Sequence, residues 1–115
     1  MRILITGGSG FIGTNAVEHF SKDFDVMNVD IAKPKMNSHI KYWTNIDICE
    51  YNSLEHAVME FNPDYILHLA ARTDLDGKSV SDYSANTIGV ENVLKVASKL
   101  KHLKKIVITS SMLVC

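Results

Sequence analysis

The chain has 115 residues, which is about the size of one small domain. Its 12 Lys and Arg residues nearly balance 13 Asp and Glu residues, and the formal net charge of −1 favours neither a nucleic-acid nor an anionic-membrane partner. Apolar residues make up 46% and charged residues 22%, values that are typical of globular proteins and exclude general disorder. Because the sequence shows no membrane span and no signal-peptide core, we predict a soluble cytoplasmic protein.

Three short strands and a helix are predicted in the first part of the chain. Arg2–Thr6 is a β-branched and Leu run of the kind found in buried strands. Phe11–Phe20 has helical periodicity, and Val26–Val29 predicts a second strand that ends at Asp30. The residues expected on the buried face of the first helix are Ile12, Ala16 and Phe20. A third strand is predicted at Ile40–Trp43.

The second part of the chain repeats this alternation. Asn52 followed by Glu55 predicts an N-cap and a helix that ends at 62–64, where Asn-Pro-Asp stops it. A fourth strand is expected at Tyr65–Ala71, a long helix from about Ser81 to Leu100, and a fifth strand at Ile106–Ile108. The apolar face of the long helix would contain Tyr83, Val90, Val93, Leu94, Ala97 and Leu100.

Strands and helices that alternate with short connections predict an α/β fold. Right-handed crossovers lead to a Rossmann-type, doubly wound parallel sheet with strand order 3-2-1-4-5. No linker divides the chain, so we expect one domain at 1–115. The chain stops in the apolar run 112–115, shortly after the fifth strand, and natural domains seldom end in this way. We therefore expect a domain that is incomplete here and continues in a longer protein.

A glycine-rich segment, Thr6–Gly13, joins the first strand to the first helix. It fits two overlapping patterns, Gly-x-x-Gly-x-x-Gly at positions 7, 10 and 13 and Gly-x-Gly-x-x-Gly at positions 8, 10 and 13. Glycines allow a tight turn, close approach of the backbone to a pyrophosphate, and close packing of helix on strand. Amides at a helix N-terminus favour an anion. This context predicts a dinucleotide-binding loop.

Asp30 ends the second strand, 20 residues after Gly10. A carboxylate at this position can accept both adenosine ribose hydroxyls and would repel a 2′-phosphate, which favours NAD over NADP. Lys33 and Lys35 follow closely and could meet a 2′-phosphate, so NADP stays open. The two cysteines, Cys49 and Cys115, lack disulfide or metal spacing, and the scattered histidines predict no metal site.

The sequence resembles the extended short-chain dehydrogenase/reductase family, specifically its NAD-dependent nucleotide-sugar epimerases and dehydratases. The resemblance covers essentially the whole chain, but only the N-terminal, cofactor-binding part of such an enzyme. The motifs that carry it are Thr6-Gly7-Gly8-Ser9-Gly10-Phe11-Ile12-Gly13, Asp47-Ile48, His68-Leu69-Ala70-Ala71, Asn86-x-x-Gly89 and Thr109-Ser110-Ser111.

The resemblance implies a role for each motif. Asp47 would accept from the adenine amino group while the Ile48 amide donates to the ring, and Asn86 would bond to backbone near the nicotinamide. Ser111 aligns with the catalytic hydroxyl residue that donates to the substrate oxygen. The implied cofactor-binding residues are Gly7, Gly10, Phe11, Ile12, Gly13, Asp30, Ile31, Asp47, Ile48, Leu69, Ala70, Ala71, Asn86, Thr109 and Ser110. For His68 itself, we expect packing in the core and not metal binding.

The implied function is the NAD-binding portion of a nucleotide-sugar epimerase or dehydratase that works by transient hydride transfer between the sugar and bound NAD. The implied partners are a nucleotide-sugar substrate and, in the full-length parent, a second subunit of a homodimer. The Tyr-x-x-x-Lys pair and the substrate-binding region of the family are absent, so residues 1–115 alone are expected to be inactive. Two alternatives are an NAD(P)-dependent reductase of the same family and a non-catalytic dinucleotide sensor.

Overall fold

Five parallel strands form a single sheet in the computed structural model of the protein, which describes residues 1–69 and 80–108, without the side chains of 80–87. The strands are β1 (Arg2–Thr6), β2 (Asp25–Asp30), β3 (Trp43–Asn45), β4 (Tyr65–His68) and β5 (Lys105–Ile108). The helices are α1 (Phe11–Phe20), α2 (Tyr51–Phe61) and α3 (Val80–Ala97), and a 3₁₀ helix occupies Asn37–Tyr42. The strand order is β3-β2-β1-β4-β5, which confirms the predicted Rossmann-type topology.

The core lies on both faces of the sheet because successive residues of β1 point to opposite sides. Leu4 is buried in a cluster with Leu54 and Val58 from α2 and Val93 from α3. The next residue, Ile5, belongs to a second cluster that includes Val17 from α1. Helices α2 and α3 therefore cover one face of the sheet, and α1 covers the other.

The prediction of a third strand at Ile40–Trp43 is wrong in its position. Residues 37–42 form the 3₁₀ helix, and β3 begins at Trp43. The tertiary reason is that the buried residue of this segment is His39, whose Nε2 lies 3.0 Å from Glu18 Oε1 on α1, whereas Ile40 is exposed. Trp43 donates its indole N–H to the carbonyl of Asp30 at 2.9 Å, so the strand starts there.

The predicted N-cap of α2 is also wrong. The N-cap residue is Glu50, and Asn52 lies within the first turn of the helix. Glu55 accepts from the Tyr51 hydroxyl and pairs with Lys99 instead of completing a capping box. The predicted end of the helix is confirmed, because the helix stops at Asn62, which adopts a left-handed conformation with φ 53°.

The helix faces differ from the predicted ones at single positions. Gly13 and Val17 are the buried residues of α1, whereas Ile12 is 70% exposed. On α3, Val96 is buried and Leu94 is exposed. β4 ends at His68, and the remainder of the predicted strand, from Ala70 on, lies outside the described residues, as does the side chain of Tyr83.

Candidate cofactor site

The turn after β1 depends on glycine at its first position. Gly7 has φ 75°, a conformation that costs little only for glycine. Its amide donates to the carbonyl of Val29 at 2.9 Å, so the chain bends from the end of β1 across the end of β2. The predicted glycine loop is therefore built onto the neighbouring strand.

Three consecutive loop amides bond to three consecutive residues of β2. Gly7 bonds to the backbone of the strand, and the next two amides bond to its side chains. The Gly8 amide donates to Asn28 Oδ1 at 2.7 Å, and the Ser9 amide donates to Asp30 Oδ2 at 3.0 Å. The geometry of the loop is thus set by β2.

Gly13 and Gly10, the other two glycines of the pattern, have different surroundings. A Cβ on Gly13 would lie 2.6 Å from the Cα of Gly8, so only glycine lets α1 pack this close to the loop. A Cβ on Gly10 would meet only the carbonyl of Gly7, at an ordinary 3.6 Å, within the described residues. The space beside Gly10 is therefore open, as a close approach of phosphate requires.

The N-terminus of α1 presents backbone amides to this space. Gly10 is the N-cap, and the first helical hydrogen bond runs from the Thr14 amide to the Gly10 carbonyl at 2.8 Å. In the described part of the chain, the amides of Phe11, Ile12 and Gly13 have no acceptor. Unpaired amides and the helix dipole together favour an anion at this point.

Asp30 lies next to the glycine loop, at the carboxyl end of β2. Its Oδ2 accepts from Ser9, and its Oδ1 accepts from the amide of Ala32 at 2.9 Å. The carboxylate is half-buried and each oxygen keeps further lone-pair capacity, so it can still accept from ribose hydroxyls. The side chain of the following residue, Ile31, is 67% exposed. Phe11, Ile12 and Ile31 are exposed apolar side chains near the glycine loop, and such side chains are typical of a binding surface.

Asp47 and Ile48 occupy the turn after β3 and have different surroundings. Asp47 is exposed, and its Oδ1 accepts from the Cys49 amide at 2.9 Å. Burial and the neighbouring Asp47 carboxylate raise the pKa of the Cys49 thiol. The Ile48 side chain is in the core, and its carbonyl accepts from Asn92 Nδ2 at 2.9 Å. The core packing therefore leaves the Ile48 side chain unavailable to a ligand at this turn.

The end of β4 carries the next motif. His68 is buried, and its Nδ1 lies 2.6 Å from the Thr6 hydroxyl oxygen. Burial lowers the pKa of its imidazole, so the ring is neutral near pH 7, as expected for a core histidine. The Leu69 amide donates to the Thr6 carbonyl at 3.0 Å, and the Leu69 side chain packs against the cluster beneath α1.

Several predicted site residues lie outside the described part of the chain: Ala70, Ala71, Thr109, Ser110 and Ser111. Asn86 lies on α3, but its side chain is also outside the described part. The structure brings together the glycine loop and Asp30, and it places Asp47 and Leu69 after the ends of β3 and β4, at the same edge of the sheet.

Two buried asparagines were missed by the sequence analysis. Asn28 contacts the glycine loop from the middle of β2, and Asn92 contacts the turn after β3 from α3. For Asn28 a signal existed, because a lone Asn within the apolar strand Val26–Val29 is unusual unless its amide is satisfied. Among the described residues, no cluster of side chains is suited to a metal ion and no helix is long and apolar enough to cross a membrane.

The chain belongs to the NAD dependent epimerase/dehydratase family, whose family model matches residues 3–115. This match agrees with the fold and with the glycine loop described above, and it confirms the family that the sequence resembles.

Individual relatives agree with this assignment. The chain is 32% identical to a dTDP-glucose 4,6-dehydratase of Haemophilus influenzae in an alignment of 118 positions that covers 89% of this chain and 34% of that protein. Among solved structures it is similar to the Bordetella bronchiseptica enzyme WbmG in complex with NAD, with a TM-score of 0.79 and 28% identity over 94% of this chain and 36% of the other. It is also similar to a UDP-glucose 4-epimerase of Thermotoga maritima solved with UDP-glucose, with a TM-score of 0.84, 27% identity, and coverage of 96% and 38%. The chain thus spans about a third of the length of these proteins.

Proposed function

We propose that residues 1–115 are the NAD-binding part of a nucleotide-sugar epimerase or dehydratase. The observation that supports this most is the pairing of two features at the carboxyl edge of the sheet. Three amides without an acceptor in the described chain, those of Phe11, Ile12 and Gly13, begin α1, and the carboxylate of Asp30 lies beside the same loop. The amides suit a pyrophosphate and the carboxylate suits a ribose diol.

The chain's own groups would bind and orient the cofactor. The first-turn amides of α1 would donate to the pyrophosphate, the open space at Gly10 would let it approach, and Asp30 would accept from the adenosine ribose. Asp47 and the Ile48 amide would contact the adenine. When bound, NAD supplies a hydride acceptor and returns the hydride later in the reaction.

The remaining motif residues complete the proposal. Leu69, Ala70 and Ala71 would lie along the dinucleotide, while Asn86, Thr109 and Ser110 would surround its nicotinamide end. Ser111 would donate from its hydroxyl to the sugar oxygen that is oxidised. The substrate is proposed to be a nucleotide sugar, because this chain is similar to a dTDP-glucose 4,6-dehydratase and to a UDP-glucose 4-epimerase.

The cofactor preference tests this proposal. In calorimetric titrations of the chain, we expect the affinity for NAD to exceed that for NADP by at least about tenfold, because the Asp30 carboxylate would repel a 2′-phosphate. Asp30→Asn keeps an oxygen for the Ser9 amide but removes the charge, so it should weaken NAD binding and reduce the preference.

Asp25→Asn is the matched control, since Asp25 is the exposed first residue of the same strand, at the end away from the loop. It should leave both affinities unchanged. Equal or tighter binding of NADP by the wild-type chain would overturn the assignment of Asp30, and absence of binding to either dinucleotide would overturn the proposed function.

A further inference from the structure

We propose that Asn28 is a positioning residue for the phosphate-binding loop, an inference that rests on the proposed function. It does not reach the ligand space itself. It acts through the amide of Gly8 and the side chain of Ser9, and so presets the conformation in which the first-turn amides of α1 point at a phosphate.

Both polar ends of the Asn28 side chain are used. Asn28 is 1% exposed in the middle of β2; its Oδ1 accepts from the Gly8 amide at 2.7 Å, and its Nδ2 donates to Ser9 Oγ at 3.2 Å. Ser9 is also buried, at 3% exposure. A buried amide that is satisfied at both ends specifies one arrangement of the loop, because any other arrangement leaves polar groups unpaired.

Few other side chains could replace Asn28 here. Leu has a similar size but no acceptor, so the buried amide of Gly8 would lose its partner. Asp would offer acceptors but would place a buried carboxylate close to the half-buried one of Asp30 and to the proposed phosphate position. The position thus requires a neutral group that both accepts and donates.

The missing side chain of Gly8 is the counterpart of this contact. A Cβ on Gly8 would lie 2.5 Å from Asn28 Cγ and 3.0 Å from Nδ2, so the Asn28 amide fills the space where a side chain would be. Gly8 and Asn28 are therefore expected to be energetically coupled.

The test compares ligands with and without phosphates. Asn28→Leu should weaken NAD binding about tenfold in calorimetric titrations, because the energy of ordering the loop must then come from binding. Adenosine, which lacks the pyrophosphate, should bind the variant as it binds the wild-type chain. A general structural role would lower both affinities or neither. Hydrogen exchange at the Gly8 amide gives a second measurement without ligand, and protection of this amide should fall in Asn28→Leu.

Gly8→Ala provides a second variant, useful also where Asn28→Leu does not fold. Gly8→Ala should displace the Asn28 side chain and weaken NAD binding by a similar factor. In Gly8→Ala/Asn28→Ala the space is free, so the combined loss should be clearly smaller than the sum of the single losses.

The outcomes separate this inference from the proposed function. If the wild-type chain binds NAD, then equal affinity in Asn28→Leu, or a parallel loss of adenosine binding, overturns the role of Asn28. If the wild-type chain does not bind NAD, the proposed function fails. Unchanged Gly8 protection in Asn28→Leu would overturn the loop contact independently of any ligand.

Discussion

Single residues of the glycine loop serve different neighbours, although they belong to one repeated pattern. Gly7 is needed for its backbone conformation, Gly8 for the space that Asn28 fills, and Gly13 for the approach of α1 to the loop backbone. At Gly10, by contrast, an added Cβ would meet among the described residues nothing closer than the Gly7 carbonyl, at 3.6 Å. The pattern therefore combines the demands of folding with those of a ligand.

Substitutions at Gly10 and Gly13 should separate these demands. Gly13→Ala brings its Cβ against backbone that cannot move aside easily, so the free energy of unfolding should fall by about 1–3 kcal/mol. Gly10→Ala should leave stability nearly unchanged but weaken NAD binding, since the added methyl group occupies the proposed phosphate space. Urea unfolding and calorimetric titration measure the two effects. Tight NAD binding by Gly10→Ala would exclude Gly10 from the site.

His68 should make stability depend on pH. Burial lowers its pKa in the folded chain below the ordinary 6.5, so below about this pH the unfolded chain binds a proton that the folded chain does not. The free energy of unfolding should therefore decrease as pH falls through this range. Urea unfolding at several pH values, between about 5 and 8, measures the slope.

The variant His68→Gln isolates this effect, because its amide does not titrate and the slope should become shallower. His102→Gln is the matched control, since His102 is exposed. An unchanged slope in His68→Gln would mean that other groups cause the pH dependence.

Among the elements, β2 organises the site. It pairs with β1 and β3, and the side chains of Asn28 and Asp30 bond to the loop that follows β1. The Trp43 indole donates to the Asp30 carbonyl from β3. The end of β2 is thereby held by the loop after β1 and by β3. These contacts position the Asp30 carboxylate in the absence of a ligand.

At the other side of the sheet, β5 is the last strand in the described order, and two of its apolar side chains are exposed: Val107 at 45% and Ile108 at 37%. An apolar edge strand favours pairing with another chain. We expect the mass of residues 1–115 in sedimentation experiments to rise with concentration, and Val107→Lys to reduce this rise.

Met59→Lys is the control for that experiment, because Met59 is 41% exposed but lies on α2, away from the sheet edge. It should associate like the wild-type chain. A wild-type chain that stays monomeric at high concentration would contradict the expectation.

At the scale of the whole molecule, the candidate site is an edge where separate connections meet. The glycine loop follows β1, Asp30 ends β2, Asp47 follows β3, and Leu69 follows β4. A parallel sheet places all these carboxyl ends on one side, so residues far apart in sequence can contact one elongated ligand. The order β3-β2-β1-β4-β5 puts the glycine loop at the centre of this edge.

Much of this arrangement could be predicted from local patterns. Strands β1, β2 and β5 and the helices α1 and α3 lie within a few residues of the predicted positions, because apolar periodicity reports directly on burial. The predictions failed where a tertiary contact outweighed the local pattern. The third strand begins at Trp43, after a 3₁₀ helix in which His39 packs onto α1. The N-cap of α2 is Glu50, and Glu55 binds Tyr51 and Lys99 instead of the helix start.

The alternation of strands and helices, the class of the sheet and the family could all be predicted from the amino-acid sequence. The same is true of four candidate ligand residues, Gly7, Gly10, Gly13 and Asp30. These depend on the order and spacing of residue types along the chain. The folded chain was needed to show which groups orient the loop, how Asn28 fills the space at Gly8, and which amides of α1 remain without an acceptor in the described chain. The reason is physical: a buried hydrogen bond between residues some 20 positions apart leaves no periodic trace, since it depends on how β2 lies against the turn that follows β1.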